Sequence, residues 1–262
     1  MTPPLIVLAD RAGERLRPLT DDRPECMVRL AGRSLIQWQL AAAREADVSS
    51  IRVVGGYRVD QLDVPRELVL ENPDFSSTGQ ILTLLCAEPY FGSGFVTSYG
   101  NIVYNPDVLE ALHAAEADIA VVVDRAWQEY FELRYDDVAA VAEQLTLDEN
   151  GNLASLGGPA PNLDEIEGRF IGLAAFRGEG LAHALELLDR EREVFSDGAR
   201  LLSERTYPEL ELIDLLRGLI ADRARVQPIF VDGGWIEIST PDDLELAERM
   251  VEVDGPLLIV RR

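Results

Sequence analysis

The segment LADRAGERLRPLTDDRPECMVRLAGRS, residues 8–34, continues an apolar run, LIVLA, at residues 5–9. Consecutive apolar residues of this kind predict a parallel strand that is buried on both faces. The segment contains six Arg and five acidic residues, in a chain whose formal charge is −23. Because open α/β sheets bind ligands at the carboxyl ends of their strands, the segment is a candidate loop for holding a polyanion. A solvated, turn-rich loop with incidental arginines is the alternative.

The remaining pattern predicts strands that alternate with helices. The other strand candidates are residues 51–54, 95–99, 119–123 and 226–230. The predicted helices are residues 35–46, 106–115, 181–188, 211–220 and one that begins near Thr240. Ser34 is placed to cap the first helix, and Thr240 followed by Pro241 has the form of a capped helix start. This order predicts an α/β protein with a mainly parallel central sheet.

The domain organisation is expected to be simple. We predict a single domain over residues 1–252 and a C-terminal tail over residues 253–262. Within the domain, residues 126–224 have a looser pattern and are expected to form a lobe packed on the sheet. We expect Gly157-Gly158-Pro159 to form a turn in this lobe, and the alternating charges of residues 189–193 to lie on a solvated helix face.

Composition excludes several classes of function. All 24 basic residues are Arg, so chemistry that depends on a lysine amine is excluded. The charge of −23 disfavours nucleic acid and anionic membranes as partners, and the apolar runs are too short to span a bilayer. No basic stretch precedes the first apolar run, so no signal peptide is expected. Cys26 and Cys86 form no CxxC pattern, which favours a cytoplasmic location. His113 and His183 lie in apolar helical stretches and are expected to be structural.

Residues 8–34 resemble the signature of nucleotidyltransferases of the sugar-nucleotide type, LAAGxGxRLxPLTxxxPKxLxxxxGxxL. The positions in register are Leu8, Ala9, Gly13, Arg15, Leu16, Pro18, Leu19, Thr20, Pro24 and Gly32. Residues 20–24, together with Cys26, are similar to the branch of the family that makes CMP-phosphonates and CDP-choline. Similarity extends over residues 4–250 and includes GGWIEI at residues 233–238. The resemblance therefore covers nearly the whole chain.

The resemblance implies a Rossmann-like, GT-A-like nucleotidyltransferase fold with helices flanking a mainly parallel sheet. It implies that CTP binds beneath the signature loop, with Mg²⁺ held by acidic ligands, and that residues 126–224 form the acceptor side. A phosphonate or phosphate oxygen of a small anionic acceptor would attack the α-phosphate, and pyrophosphate would leave. CTP and this acceptor are the expected partners, with a homodimer as an open alternative.

The resemblance also implies residue roles. It places nucleotide binding at Leu8, Ala9, Asp10, Gly13, Thr78, Gly79 and Gly100. It places the catalytic contacts at Arg15, Arg11 and Glu25, acceptor binding at Trp127, Tyr130 and Arg134, and the metal neighbourhood at Asn101, Glu237 and Ser239.

Three charged positions of the family differ in this chain. Glu25 stands in place of Lys, and Asn101 and Ser239 stand in place of Asp. Replacing Lys with Glu removes an attraction to an anionic phosphate and adds a repulsion. At about 4 Å and an effective dielectric near 20, each of these two energies is roughly 4 kcal/mol. Neutral oxygens also weaken a Mg²⁺ site. Two hypotheses follow and stay open: a CTP-dependent enzyme with a remodelled site, and a catalytically silent homologue that binds a nucleotide or serves as a partner subunit. In the remodelled site, Arg11 would substitute for the Lys, and Asp10, Asp232 or Glu25 would recruit the ion.

Overall fold

The computed structural model describes residues 2–160, 162–196, 200, 202–253 and 257–259. The strands are β1 Leu5–Ala9, β2 Arg29–Leu30, β3 Arg33–Ser34, β4 Ile51–Gly55, β5 Val69–Glu71, β6 Gly94–Tyr99, β7 Ile102–Tyr104, β8 Ile119–Asp124, β9 Glu143–Leu147, β10 Leu153–Pro159, β11 Arg169–Arg177, β12 Val226–Val231, β13 Trp235–Glu237, β14 Val251–Val253 and β15 Leu257–Ile259. The α-helices are α1 Leu35–Glu45, α2 Gln80–Leu85, α3 Pro106–Ala114, α4 Trp127–Arg134, α5 Gly178–Ser196, α6 Leu212–Ala221 and α7 Pro241–Met250.

A seven-stranded sheet in the order β12-β8-β11-β6-β1-β4-β5 forms the centre of the molecule. Its neighbouring strands are parallel except β11, which is antiparallel to both β6 and β8. The prediction of a mainly parallel sheet is therefore confirmed. The parallel strands bring their carboxyl ends to one edge, where the loop that follows β1 begins.

The central strands are apolar because both of their faces are covered. In β1, Leu5, Val7 and Ala9 point into one core cluster, whereas Ile6 and Leu8 point into the other. The first cluster packs against α1, α3, α4 and α7, and the second against α2, α5 and α6. A strand between two helical layers has no polar face, which explains the uninterrupted apolar run.

The predicted helix starts are present. Ser34 accepts a hydrogen bond from the backbone N–H of Gln37, and the Gln37 side chain accepts one from the backbone of Ser34. Thr240 and Asp243 form the same reciprocal arrangement at the start of α7. These caps satisfy backbone donors that have no partner inside the helix.

Residues 126–224 contribute to the sheet as well as to its surroundings. The segment supplies α4, the β9-β10 hairpin, α5 and α6, but β11 lies inside the central sheet between β6 and β8. A register shift in β11 between Phe170 and Ala174 accommodates Gly172, whose φ is 90°. A Cβ at Gly172 would lie 2.4 Å from the Tyr99 ring, so a side chain there would displace that ring.

Two local predictions need correction, and a third concerns residues that lie partly outside the described ranges. Residues 157–159 end β10 instead of forming a separate turn. Gly157 and Gly158 adopt positive φ where the pairing of β10 with β9 is irregular, between Leu156 and Pro159. The charged run 189–193 lies on α5, but Glu191 is fully buried and accepts a hydrogen bond from the backbone N–H of Leu202. The expected C-terminal tail includes β15, which pairs with β14, and its residues 254–256 and 260–262 lie outside the described residues.

None of the helices in the described part of the chain is long and apolar enough to cross a membrane.

Candidate active site

A cleft of about 880 Å³ opens at the carboxyl ends of β1 and β6. The predicted site residues that line it are Leu8, Asp10, Arg11, Gly13, Arg15, Glu25, Thr78, Gly100, Asn101, Glu237 and Ser239. The structure thus brings together residues that are up to 231 positions apart, from Leu8 to Ser239. Ala9 is buried, and Gly79 lines a neighbouring cavity of about 970 Å³.

The loop after β1 folds back over the cleft at Gly13. Gly13 has a φ of 64°, and its carbonyl oxygen accepts a hydrogen bond of 2.8 Å from the Thr20 hydroxyl. A Cβ at Gly13 would lie only 2.6 Å from the Cβ of Glu25. Glycine is therefore required both by the left-handed backbone and by the close approach of Glu25.

Glu25 is a buried carboxyl group on the cleft wall, with 8% of its surface exposed. Burial raises its pKa to about 7, an effect that Arg11 opposes and that Asp10 and Glu237 reinforce. Glu25 is therefore divided between its neutral and ionised forms near neutral pH. A permanently charged lysine is replaced in this position by a group whose charge depends on pH.

Arg11 joins the signature loop to the start of α6. One of its guanidinium nitrogens lies 2.5 Å from Oε2 of Glu211, the N-cap residue of that helix. Burial lowers the pKa of Arg11, but the carboxylates of Glu211, Glu25 and Asp10 outweigh this effect and raise it. Arg15, in contrast, is exposed on the cleft, and no ion pair joins it to a carboxylate within the described ranges.

Asp10 belongs to a buried polar network at the end of β1. Its Oδ2 accepts a hydrogen bond of 2.8 Å from the Thr83 hydroxyl, which in turn accepts one from the Asn72 amide. The Asn72 amide also donates to the Thr78 hydroxyl. Burial raises the pKa of Asp10, with the Thr83 hydrogen bond opposing the shift. Sequence reasoning missed Thr83 as a site residue, because a threonine on an apolar helix carries no distinguishing signal.

Pairing of β7 with β13 assembles the predicted metal neighbourhood. Glu237 lies opposite Ile102 in this antiparallel pair, and the Ile238 backbone N–H donates to the Asn101 carbonyl. The Asn101 amide donates to Ser239 Oγ at 3.1 Å and to Glu237 Oε1 at 3.5 Å. The Ser239 hydroxyl also donates to Glu237 Oε1, at 3.0 Å. Asn101 and Ser239 therefore both direct donors at the carboxylate.

Arg134 completes this cluster from behind the cleft wall. Its side chain is 1% exposed, donates to Glu237 Oε2 at 2.8 Å, and donates to both oxygens of Asp243 at 2.9 and 3.1 Å. The carboxylates of Glu237 and Asp243 help to raise the pKa of Arg134 against the opposing effect of burial. Although burial opposes it, Arg134 lowers the pKa of both carboxyl groups.

The residues at the predicted metal site do not fit Mg²⁺. Mg²⁺ requires oxygen lone pairs in octahedral geometry, usually with one or two carboxylates. The carboxylate of Glu237 accepts hydrogen bonds from a guanidinium, a hydroxyl and an amide instead. Across the described residues, no group of three or more His, Cys, Asp or Glu side chains is arranged to hold a metal ion.

The structure does not bring the three predicted acceptor-binding residues into the cleft. Trp127 is 2% exposed and packs edge-on against Phe131. The Tyr130 hydroxyl is occupied by the backbone of Glu237, accepting from its N–H and donating to its carbonyl. Arg134 is enclosed by the two carboxylates described above. These side chains pack the core because α4 turns its aromatic face toward β13 and α7.

Other residues, which sequence reasoning missed, also line the cleft. They are Tyr99, Glu143, Arg169, Phe170, Arg205 and Ile213. Arg169 forms an ion pair of 2.9 Å with Glu143, and Arg205 forms one of 3.1 Å with Asp214. Local sequence could not indicate this grouping, because the residues come from β6, β9, β11, α6 and the segment before α6, which are distant from one another in the chain.

The two histidines are structural, as expected. His113 contacts the carbonyl oxygens of Leu109 and Pro3, and His183 contacts Asp222. Neither lines the cleft.

Comparisons with known proteins place this architecture in a family. The chain is 30% identical, over 257 residues, to the CTP:phosphoglutamine cytidylyltransferase of Campylobacter jejuni subsp. jejuni, covering 92% of this chain and 97% of that protein. No protein-family profile matches the chain.

Solved structures of low sequence identity share the fold. The inositol-1-phosphate CTP transferase from T. maritima superposes with a TM-score of 0.66 at 22% identity, covering 95% of this chain and 96% of that one. The CTP:phosphocholine cytidylyltransferase from Streptococcus pneumoniae superposes with a TM-score of 0.70 at 16% identity, covering 95% of this chain and 99% of that one. The predicted Rossmann-like fold is therefore confirmed. Together with the identity and coverage of the Campylobacter relative, this fold shows that the chain belongs to the sugar-nucleotide-type nucleotidyltransferases.

Proposed function

We propose that this chain binds CTP in the cleft and transfers its CMP group to a small phosphomonoester or phosphonate. The observation that carries the proposal is Arg15, an exposed guanidinium beside Gly13 at the carboxyl end of β1. The CTP-dependent relative, aligned over nearly its whole length, supports the choice of nucleotide.

The proposed reaction is a substitution at the α-phosphorus of CTP. An oxygen of the acceptor's phosphate or phosphonate group forms a bond to that phosphorus, and the bond to the β-phosphate oxygen breaks as pyrophosphate leaves. In this proposal Arg15 contacts the β- and γ-phosphates, and Gly13 permits their close approach to the loop. Such a reaction depends mainly on positioning and charge neutralisation.

We place the acceptor beside a second group of cleft residues. Arg169 and Arg205 supply positive charge there, and Tyr99 and Phe170 supply apolar surface. The side chains of Arg169 and Arg205 line the cleft with 19% and 50% of their surfaces exposed, and they pair with Glu143 and Asp214. These residues replace Arg134 as the candidates for the anionic head of the acceptor.

Pyrophosphate release from CTP tests the proposal. The assay uses a panel of aminoethyl-, hydroxyethyl- and choline-type phosphates and phosphonates. We expect release with at least one acceptor, and a loss of at least tenfold in Arg15→Ala. Arg23→Ala is the matched control, because Arg23 lies on the same loop, is paired with Asp22 and does not line the cleft. Equal activity of both variants would remove Arg15 from the proposed role.

A catalytically silent homologue is the second candidate. It is favoured by the carboxyl group of Glu25 on the cleft wall and by the full engagement of Glu237. In that case CTP would bind without pyrophosphate release. The variant Glu25→Lys, Asn101→Asp, Ser239→Asp separates the two: activity that appears only in this variant identifies the natural chain as silent.

A further inference from the structure

The cluster behind the cleft wall already contains a cation. The guanidinium of Arg134 is enclosed on one side by the carboxylates of Glu237 and Asp243. On other sides the rings of Tyr130, Phe131 and Tyr135 lie 5.0 to 5.6 Å from its central carbon. The Arg134 side chain is 1% exposed, and its contacts with two carboxylates and three aromatic rings fix its position.

All the hydrogen bonds at the Glu237 carboxylate are donated to it by neighbouring side chains, as expected if its charge is balanced by an arginine of the protein. Glu237 Oε2 accepts a hydrogen bond from Arg134, and Oε1 accepts hydrogen bonds from the Ser239 hydroxyl and the Asn101 amide. A divalent metal at this position would require Oε1 and its neighbours to direct lone pairs at the ion. Here the neighbours direct hydrogens toward Oε1 instead.

The same guanidinium fixes the loop that carries Ser239. Two of its nitrogens hold Asp243, and Asp243 Oδ2 accepts hydrogen bonds from the backbone N–H groups of Ser239 and Thr240. Arg134 therefore connects α4, β13 and the start of α7. Asn and Ser at positions 101 and 239 are consistent with this arrangement, because Asp at both positions would bring four carboxylates, with Glu237 and Asp243, to one buried cation.

We propose that Arg134, behind the cleft wall, serves as the resident cation of this cluster in place of a divalent metal, so that Asn101, Glu237 and Ser239 hold no metal ion. The inference extends the proposed function, because it implies that CTP binds with no contribution from metal at these three residues. Arg134 is here a positioning residue and does not touch the substrate.

The first experiment measures Mn²⁺ binding to the full chain without nucleotide, by electron paramagnetic resonance. We expect no Mn²⁺ signal that depends on Asn101 or Glu237, so the wild type, Asn101→Leu and Glu237→Gln should titrate alike. Binding of one Mn²⁺ per chain that is lost in both variants would overturn the inference. Weak binding that is unchanged in both variants comes from other carboxylates and agrees with it.

A second experiment uses Arg134→Met, which keeps much of the apolar stem and removes the charge. If Arg134 excludes the metal, this variant gains Mn²⁺ binding at least tenfold tighter than the wild type, through the released Glu237 and Asp243. Arg125→Met is the control, because Arg125 is an exposed arginine that pairs with Asp232. Circular dichroism checks folding. A folded Arg134→Met without this gain would contradict the proposal, and if the variant does not fold, the first experiment decides.

Calorimetry with CTP separates this inference from the proposed function. We expect the affinity for CTP to change less than threefold between EDTA and Mg²⁺ at matched ionic strength. A tenfold gain with Mg²⁺ that disappears in Asn101→Leu would overturn the inference. Absence of CTP binding under both conditions would count against the proposed function alone, since the Mn²⁺ result still decides the inference.

Discussion

Replacing Glu25 with glutamine should stabilise the protein at alkaline pH and have little effect at acid pH. Glutamine keeps the shape of the side chain and removes its ability to ionise. Burial raises the pKa of Glu25 from 4.5 to about 7. The folded state therefore holds the proton more tightly than the unfolded state, and ionisation of Glu25 costs stability as pH rises from 4.5 through 7.

The magnitude follows from the size of the shift. A change from 4.5 to about 7 corresponds to about 3 kcal/mol at roughly 1.4 kcal/mol for each pKa unit. The favourable contribution of the neutral carboxyl is fully present below pH 4.5 and is lost above pH 7. The difference in unfolding free energy, Glu25→Gln minus wild type, should therefore rise by about 1 to 3 kcal/mol between pH 4.5 and pH 8.

Urea unfolding at pH 4.5 and pH 8 measures this difference. The contributions of the other acidic groups cancel, because the two proteins share those groups. Glu14→Gln is the control, since Glu14 lies exposed on the same loop. A difference for Glu25→Gln that stays constant from pH 4.5 to pH 8 would refute the assignment of a raised pKa to Glu25.

Four further predictions follow from the same contacts. The affinity for CTP should rise as pH falls from 8 to 6, because neutral Glu25 does not repel phosphate. In calorimetry, Glu25→Gln should reduce this pH dependence of the affinity. An unchanged pH dependence would assign it to the titration of CTP itself. Gly13→Ala should cost at least about 1–2 kcal/mol in unfolding free energy, since its φ is 64° and the new Cβ would meet Glu25; no measurable loss would contradict this. Arg134→Met should lower the free energy of unfolding by about 3–5 kcal/mol, because two carboxylates lose their buried partner. A decrease under about 1 kcal/mol in urea unfolding would mean that these ion pairs do not stabilise the fold. Trp127→Ala should cost about 3–5 kcal/mol without a selective rise in the KM for acceptor, and a selective rise would return Trp127 to the acceptor site.

The sequence was sufficient for the features that depend on local pattern. The apolar run 5–9 predicted a doubly covered strand, and Ser34 and Thr240 predicted helix starts, because hydrophobic periodicity and capping are set by nearby residues. The signature resemblance placed Arg11, Arg15 and Glu25 together, and they line one cleft. Their proposed roles, the domain limits and a homodimer stay predictions.

The features that the sequence could not supply depend on distant contacts. Arg134 meets Glu237 and Asp243, which lie 103 and 109 residues further along the chain. Because these carboxylates enclose Arg134, it does not reach the acceptor site and instead supplies a buried cation. No local motif in the sequence indicates this role. The antiparallel course of β11 is likewise set by its two neighbours in the sheet, since its apolar sequence suits either direction.

Calorimetric titration of CTP into the wild type and Arg15→Ala, in EDTA, tests the nucleotide-binding cleft most directly. We predict saturable binding of one CTP per chain to the wild type and at least tenfold weaker binding to Arg15→Ala. Absence of binding to the wild type in EDTA and in Mg²⁺, or equal binding to both proteins, would contradict the account.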